Sequence, residues 1–107
     1  MTIATAVAED LMESFKREPF SSLYLGLGAS PSDTTWTVDT GVDGGPLASW
    51  RREVARRLER GVASVTVEAV GPGAPTFGDA IGIRLTVRVS WDEAGRAGSV
   101  TLATVRF

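Results

Sequence analysis

Apolar side chains recur at helical spacing through the first eighteen residues. Those that fall four residues apart are Ile3, Val7, Leu11 and Phe15. Four residues make slightly more than one helical turn, so such positions lie along one side of an α-helix. Thr2 can cap the first turn, and Pro19 prevents the helix from continuing. The pattern predicts a helix over residues 2–18 whose apolar side, formed by these four residues, packs on a core.

Residues 19–45 show no regular period and are rich in glycine, proline and aspartate. These residue types mark turns, so we predict a loop region over 19–45 that its aromatic and leucine side chains hold against the core. One short strand is predicted over residues 34–40, with Trp36 and Val38 on one side.

A second helix is predicted over residues 46–60. Pro46 suits a first helical position, and Gly61 suits the position that ends a helix. The apolar residues at helical spacing are Leu47, Trp50, Val54 and Leu58. The other side carries the arginines Arg51, Arg52, Arg56, Arg57 and Arg60. The segment is therefore expected to be amphipathic, with a basic outer side.

The last part of the chain alternates between apolar and polar side chains. The longest alternation places on one side Ile81, Ile83, Leu85, Val87, Val89 and Trp91. A period of two is typical of a strand with one buried and one solvated face. Strands are predicted over residues 62–70, 80–91 and 99–107. A hairpin loop is predicted over 92–98, and Val100 and Leu102 are expected to face inward.

Together these elements predict an α+β fold in a single domain, residues 1–107. The N-terminal amphipathic helix packs on a three- or four-stranded antiparallel sheet, and the second, short helix covers the same apolar side. A chain of 107 residues suits one domain, and 43% apolar with 22% charged residues is a globular composition. No stretch approaches the roughly 20 apolar residues that span a bilayer.

The composition limits the chemistry open to the chain. It contains no cysteine and no histidine, which excludes disulfides, thiolate chemistry and most transition-metal sites. Asp39 and Asp43 lie in a glycine-rich loop, but two carboxylates without EF-hand spacing are better explained by turns. The neighbouring carboxylates Glu9-Asp10 and Asp92-Glu93 diverge or sit at a hairpin tip, so they do not form an acid–base pair. We expect no enzyme activity, no cofactor and no metal.

The basic side of the second helix could contact the phosphates of a nucleic acid. Glu53 and Glu59 interrupt the arginine cluster, and the chain has a formal net charge of −2. These features argue against nucleic acid as a partner and favour a solvated or salt-bridged face. Trp50 and Trp91 lie on the apolar sides of their elements, where core packing explains them. Trp36 is expected to be a half-buried strand residue.

Both ends of the chain carry patterns that recur in one family. Small residues, the acidic pair Glu9-Asp10 and the helix exit Pro19-Phe20 follow one another between Ala4 and Leu23. From Ile83 onward, a strand that ends in Val89-Ser90-Trp91 turns back into Val100-Thr101-Leu102-Ala103-Thr104. The first segment resembles the soluble half of the first helix in type IV minor pilins and type II secretion pseudopilins. The second is similar to the closing hairpin of their PilV-type and I-type members.

The resemblance implies a structural subunit of a bacterial type IV pilus or type II secretion pseudopilus. Such a subunit acts in filament assembly or priming through contacts with other pilin-like subunits. The abrupt start of the helix indicates a soluble domain cut from a longer chain. The resemblance then implies an inner-membrane anchor through an N-terminal helix missing from this sequence, with the head in the periplasm or on an extracellular filament of the cell envelope.

The resemblance also implies an interface on the outer side of the first helix, and the basic side of the second helix is a further possible interface. Its candidate residues are Glu9, Asp10, Glu13, Lys16, Arg52 and Arg56. Two other functions stay open from the sequence. One is a small phage-tail or baseplate assembly module. The other is a non-catalytic ligand-binding domain that uses residues 20–45 as its mouth.

Overall fold

The computed structural model describes residues 2–41, 45 and 47–107, without the side chains of Phe20, Ser21 and Glu93. Its helices are α1 (Ile3–Lys16), α2 (Phe20–Gly26) and α3 (Ala48–Arg57). Its strands are β1 (Thr35–Asp39), β2 (Val62–Val70), β3 (Gly82–Glu93) and β4 (Arg96–Arg106). The predicted loop residue Asp43 and the predicted first helical residue Pro46 lie outside the described residues.

The four strands form one antiparallel sheet in the order β1-β2-β3-β4, so each strand pairs with its neighbour in sequence. Helix α1 packs across β3 and β4, and α3 packs on β2. The fold is therefore α+β, with an N-terminal helix on an antiparallel sheet, as predicted. The helices cover one face of the sheet, and that face supplies most of the buried core. The other face carries threonine, serine and arginine side chains.

Helix α1 buries most of its predicted apolar side. Val7 and Leu11 are completely buried, and Phe15 is partly buried against the core. Ile3 is 58% exposed, so the prediction that it packs on the sheet is wrong. Each step of four residues advances about 40° around a helix, which places Ile3 and Phe15 about 120° apart. Ala4, Ala8 and Met12 complete the buried side.

The region predicted as a loop over residues 19–45 contains a helix, α2, directly after Pro19. Leu23 and Leu27 on this helix and its cap are buried, which explains why the segment is ordered against the core. Trp36 on β1 is 37% exposed, and its indole Nε1–H donates to the carbonyl oxygen of Leu27 at 2.9 Å. The indole therefore ties the edge strand to the end of α2.

The connection between β2 and β3 packs against α2 and the loop that follows it. Phe77 is only 2% exposed and stacks on Tyr24, with ring centroids 4.8 Å apart. The backbone N–H of Phe77 donates to the carbonyl oxygen of Asp33 at 2.8 Å. Ile81, predicted to lie on the buried side of β3, is exposed because it precedes the strand and sits in this connection.

The end of α3 differs from the prediction. The left-handed residue is Arg60, with φ of 51°, and not Gly61. Gly61 is needed for space instead, since a Cβ at that position would lie 2.8 Å from the Cβ of Leu58. Because Gly61 has no side chain, the chain can turn sharply there from α3 into β2.

The hairpin between β3 and β4 is tighter than the loop predicted over 92–98. Glu93 pairs directly with Arg96, and only Ala94 and Gly95 form the turn, with φ of 50° and 79°. Two successive residues with positive φ define the type I′ turn that suits the twist of a hairpin. The strands therefore extend further than the alternation of apolar residues indicated.

Replacing Ala94 by asparagine should stabilise the protein, because alanine is strained in the left-handed region and asparagine tolerates it. We expect the free energy of unfolding to rise by about 0.5–1 kcal/mol. Urea unfolding of Ala94→Asn measures this change. The control is Ala103→Asn, which places the same side chain at an exposed position of β4 and should bring no gain.

Candidate interaction surface on the first helix

The side of α1 that faces away from the sheet carries its charged residues. Glu9, Asp10, Glu13 and Lys16 are all exposed. They line a shallow hollow together with Met12 of the same helix and Leu102 of β4. The acidic side of α1 therefore lies beside the last strand of the sheet. This arrangement brings together four of the six predicted interface residues.

Two polar contacts join α1 to neighbouring elements. The guanidinium of Arg106, at the end of β4, donates to the carbonyl oxygen of Lys16 at the end of α1. Carbonyl groups at a helix C-terminus are short of donors and carry partial negative charge, so an arginine there is favourable. On the other flank, Arg57 of α3 donates to Asp10 at 2.9 Å. Helix α1 is thus tied to β4 and to α3.

The ion pair to Arg57 changes the role predicted for Asp10. Arg57 Nη1 also lies 3.7 Å from Glu53 Oε1, so the arginine bridges the two helices. The Asp10 side chain is still 58% exposed. An ion pair as exposed as this one adds little to the stability of the fold. Asp10 orients α1 against α3, while Glu9 and Glu13 have no hydrogen bond or ion pair within the described residues.

Helix α3 presents the two predicted basic interface residues, Arg52 and Arg56, at the surface. Arg56 Nη2 donates to both carboxylate oxygens of Glu53 at 2.8 Å. Among the described residues, neither arginine is joined to α1 by a hydrogen bond or an ion pair. The predicted interface therefore divides into an acidic side on α1 and a basic side on α3.

The first turn of α1 lies at the surface of the domain. Thr2 caps it, and its Oγ1 accepts from the N–H of Thr5 at 3.1 Å. Ile3 is exposed beside a second shallow hollow, which Leu58 and Trp91 also line. The sequence does not indicate this hollow, which Arg57 and Glu59 also line. Leu58 and Trp91 are partly buried and pack against the core.

The structure places the other candidate residues in ordinary structural roles. Asp39 Oδ1 accepts from the N–H of Gly41 at 2.7 Å, which is turn chemistry. Across residues 2–41, 45 and 47–107, no three acidic side chains come together as metal ligands. None of the helices in this part of the chain is long and apolar enough to cross a bilayer.

Comparison with known families, curated proteins and solved structures found no match to this chain.

Proposed function

We propose that this chain is the head of a filament subunit related to type IV minor pilins or type II secretion pseudopilins. Its role is structural, in the assembly or priming of the filament through contacts with other pilin-like subunits. The full-length protein is anchored in the inner membrane by a helix upstream of α1. The head then lies in the periplasm or on the extracellular filament.

The observation that supports this proposal most is the position of α1. Its apolar side is buried on β3 and β4, while its first turn, with Thr2 and Ile3, is exposed. A further helical turn before Ile3 would replace the Thr2 cap and extend the helix beyond the sheet. Such a helix could enter a membrane or a filament core without any change to the head.

The charges on the two neighbouring helices support a role in assembly. Glu9 and Glu13 of α1 and Arg52 and Arg56 of α3 are exposed, and within the described residues they are not joined to one another. An acidic patch on one subunit can meet a basic patch on the next, and such head-to-tail contacts build filaments when they do not close into a ring. Because these charged side chains are exposed, we expect the contacts between subunits to weaken as the salt concentration rises.

Shearing of cells tests the proposal. Cells that produce the natural protein with an epitope tag are sheared, and filaments are separated from membranes and soluble proteins by ultracentrifugation. We expect the tag in the inner membrane and in the sheared filaments, and we expect a pull-down to recover other pilin-like subunits. A tagged periplasmic protein is the control. A tag confined to the soluble fraction, with no pilin-like protein recovered, would contradict the proposal.

A further inference from the structure

The two edges of the sheet differ in length and in protection. The β1 edge is five residues long and is tied to α2 through the Trp36 indole. The β4 edge is eleven residues long, and among the described residues it pairs only with β3. A long free edge presents unpaired N–H and C=O groups to any extended chain that approaches it.

The tight hairpin shows which groups face outward. Glu93 and Arg96 flank a two-residue turn, and such a pair exchanges both of its hydrogen bonds. Bonded and non-bonded pairs then alternate along the ladder. In agreement, the N–H of Asp92 points away from β4, toward the carbonyl oxygen of Glu59 at 3.2 Å. The β4 residues that turn their backbone groups to the free edge are Ala97, Ser99, Thr101, Ala103 and Val105.

The middle of this edge strand, between Arg96 and Arg106, lacks the residues that usually protect an edge. Natural edges carry lysine, proline, bulges or inward charges, or they are short. Residues 97–105 read AGSVTLATV, with no charged residue and no proline. Ser99 to Val105 also combines high β-propensity with zero charge, the signature of a segment that pairs readily. The register with β3 runs without a bulge from Glu93–Arg96 to Ile83–Arg106.

The groove beside this edge indicates the chemistry of the incoming chain. Val100 and Leu102 are partly buried on the covered face, and Met12 of α1 lies beside Leu102. Glu9, Glu13 and Lys16 rim the same hollow, with acidic side chains in excess, and the two glutamates have no hydrogen bond or ion pair within the described residues. An added strand would place every second side chain into this groove. Apolar side chains would contact Leu102 and Met12, and basic side chains would reach the two glutamates.

We propose that the β4 edge binds an extended segment of a different protein, one that turns both apolar and basic side chains toward α1. Binding adds a fifth strand to the sheet through backbone hydrogen bonds, and the α1 groove selects the side chains. The inference goes beyond the filament role, because the edge would accept such a strand whether or not the chain assembles.

A second copy of this chain is a poorer occupant of the same edge. Antiparallel pairing of two β4 strands about Thr101 would set Arg96 of each copy against Arg106 of the other. It would also bring the acidic sides of the two α1 helices toward each other. Like charges oppose each other, so the charges disfavour self-pairing in this register.

A synthetic peptide tests the inference. The probe is a capped seven-residue peptide in which Lys, Val, Val and Lys alternate with Thr, and its binding to the whole chain is followed by calorimetry. Two further peptides carry N-methyl groups on one or the other alternate set of amides. We expect one methylated peptide to lose binding and the other to keep it, since only one set faces the edge. A peptide with Glu in place of Lys should bind at least about tenfold more weakly.

The matching protein variant is Thr101→Pro, which removes one outward N–H at a position where an edge strand tolerates proline. We expect about tenfold weaker binding of the Lys peptide. Thr101→Val keeps the N–H and should bind as the natural chain does. Circular dichroism shows whether Thr101→Pro is folded, and if it is not, the methylated peptides on the natural chain decide the question.

Three results would overturn the inference. The first is equal binding of both methylated peptides, and the second is unchanged binding by folded Thr101→Pro. The third is self-association of the natural chain that Thr101→Pro abolishes, because a second copy would then be the occupant. Weaker binding by the double variant Glu9→Gln, Glu13→Gln supports the assignment of the groove, and the loss should shrink in high salt.

Discussion

Replacing Leu11 by alanine lowers the free energy of unfolding by about 2–5 kcal/mol. Leu11 is completely buried and lies at the centre of the α1 side that packs on β3 and β4. Truncation removes its transfer free energy and leaves a cavity that a helix on a sheet closes only in part. Urea-induced unfolding followed by circular dichroism gives the free energy directly.

The matched control for Leu11→Ala is Ile3→Ala, a loss of comparable volume on the same helix. Because Ile3 is mostly exposed, we expect it to change the free energy of unfolding by no more than about 1 kcal/mol. Equal effects of the two substitutions would contradict the orientation of α1. A larger effect of Ile3→Ala would mean that the first turn of α1 packs on the domain more tightly than the middle of the helix does.

Replacing Gly82 by alanine is the second substitution with a large expected effect. A Cβ at this position would lie 2.5 Å from the carbonyl oxygen of Arg106 and 3.0 Å from the Phe107 ring. The oxygen belongs to the backbone of the paired strand, so no side-chain rotation relieves the contact. We expect a loss of about 1–3 kcal/mol in the free energy of unfolding, and urea unfolding again measures it.

Gly26→Ala is the control for Gly82→Ala. Gly26 is the last residue of α2, and no atom lies within 4 Å of a Cβ placed there. Alanine is the better helix former by up to about 1 kcal/mol, so this variant should be neutral or more stable. If Gly82→Ala is equally neutral, the result would contradict the close contact between the start of β3 and the end of β4.

Long elements with one buried side could be predicted from the sequence. The predicted strand 62–70 coincides with β2, and β3 was visible because its apolar residues keep a period of two. Helix α1 was visible because its apolar residues recur at helical spacing. The exposure of Ile3 was not predicted, because the sequence does not show which side of the helix contacts the sheet.

Short or strained elements could not be predicted from the periodicity of apolar residues. Helix α2 has seven residues, too few to repeat a pattern, and its order depends on the burial of Leu23 and Leu27. The Ala94-Gly95 turn lacks the Asn-Gly or Asp-Gly pair that usually indicates a type I′ hairpin. Phe77 lies in a segment rich in turn residues, and nothing in the sequence indicates that it stacks on Tyr24 in the core.

The candidate surface was predictable in composition but not in arrangement. The charged residues of α1 are exposed, as an amphipathic helix requires. Asp10 and Arg57 are 47 residues apart, and nothing in the sequence indicates that they pair. The position of Glu9 and Glu13 beside Leu102 depends on the crossing of α1 over β4, which only the tertiary structure shows.

Crosslinking from the first turn of α1 tests the filament role most directly. The chain has no cysteine, so Ile3→Cys introduces the only thiol of this domain. In cells that assemble the tagged natural protein, a thiol-directed crosslinker should join position 3 to another pilin-like subunit. Leu11→Cys should stay unreactive until the protein is unfolded. A thiol at position 3 that never yields a crosslinked subunit, in cells that contain filaments, would contradict the account.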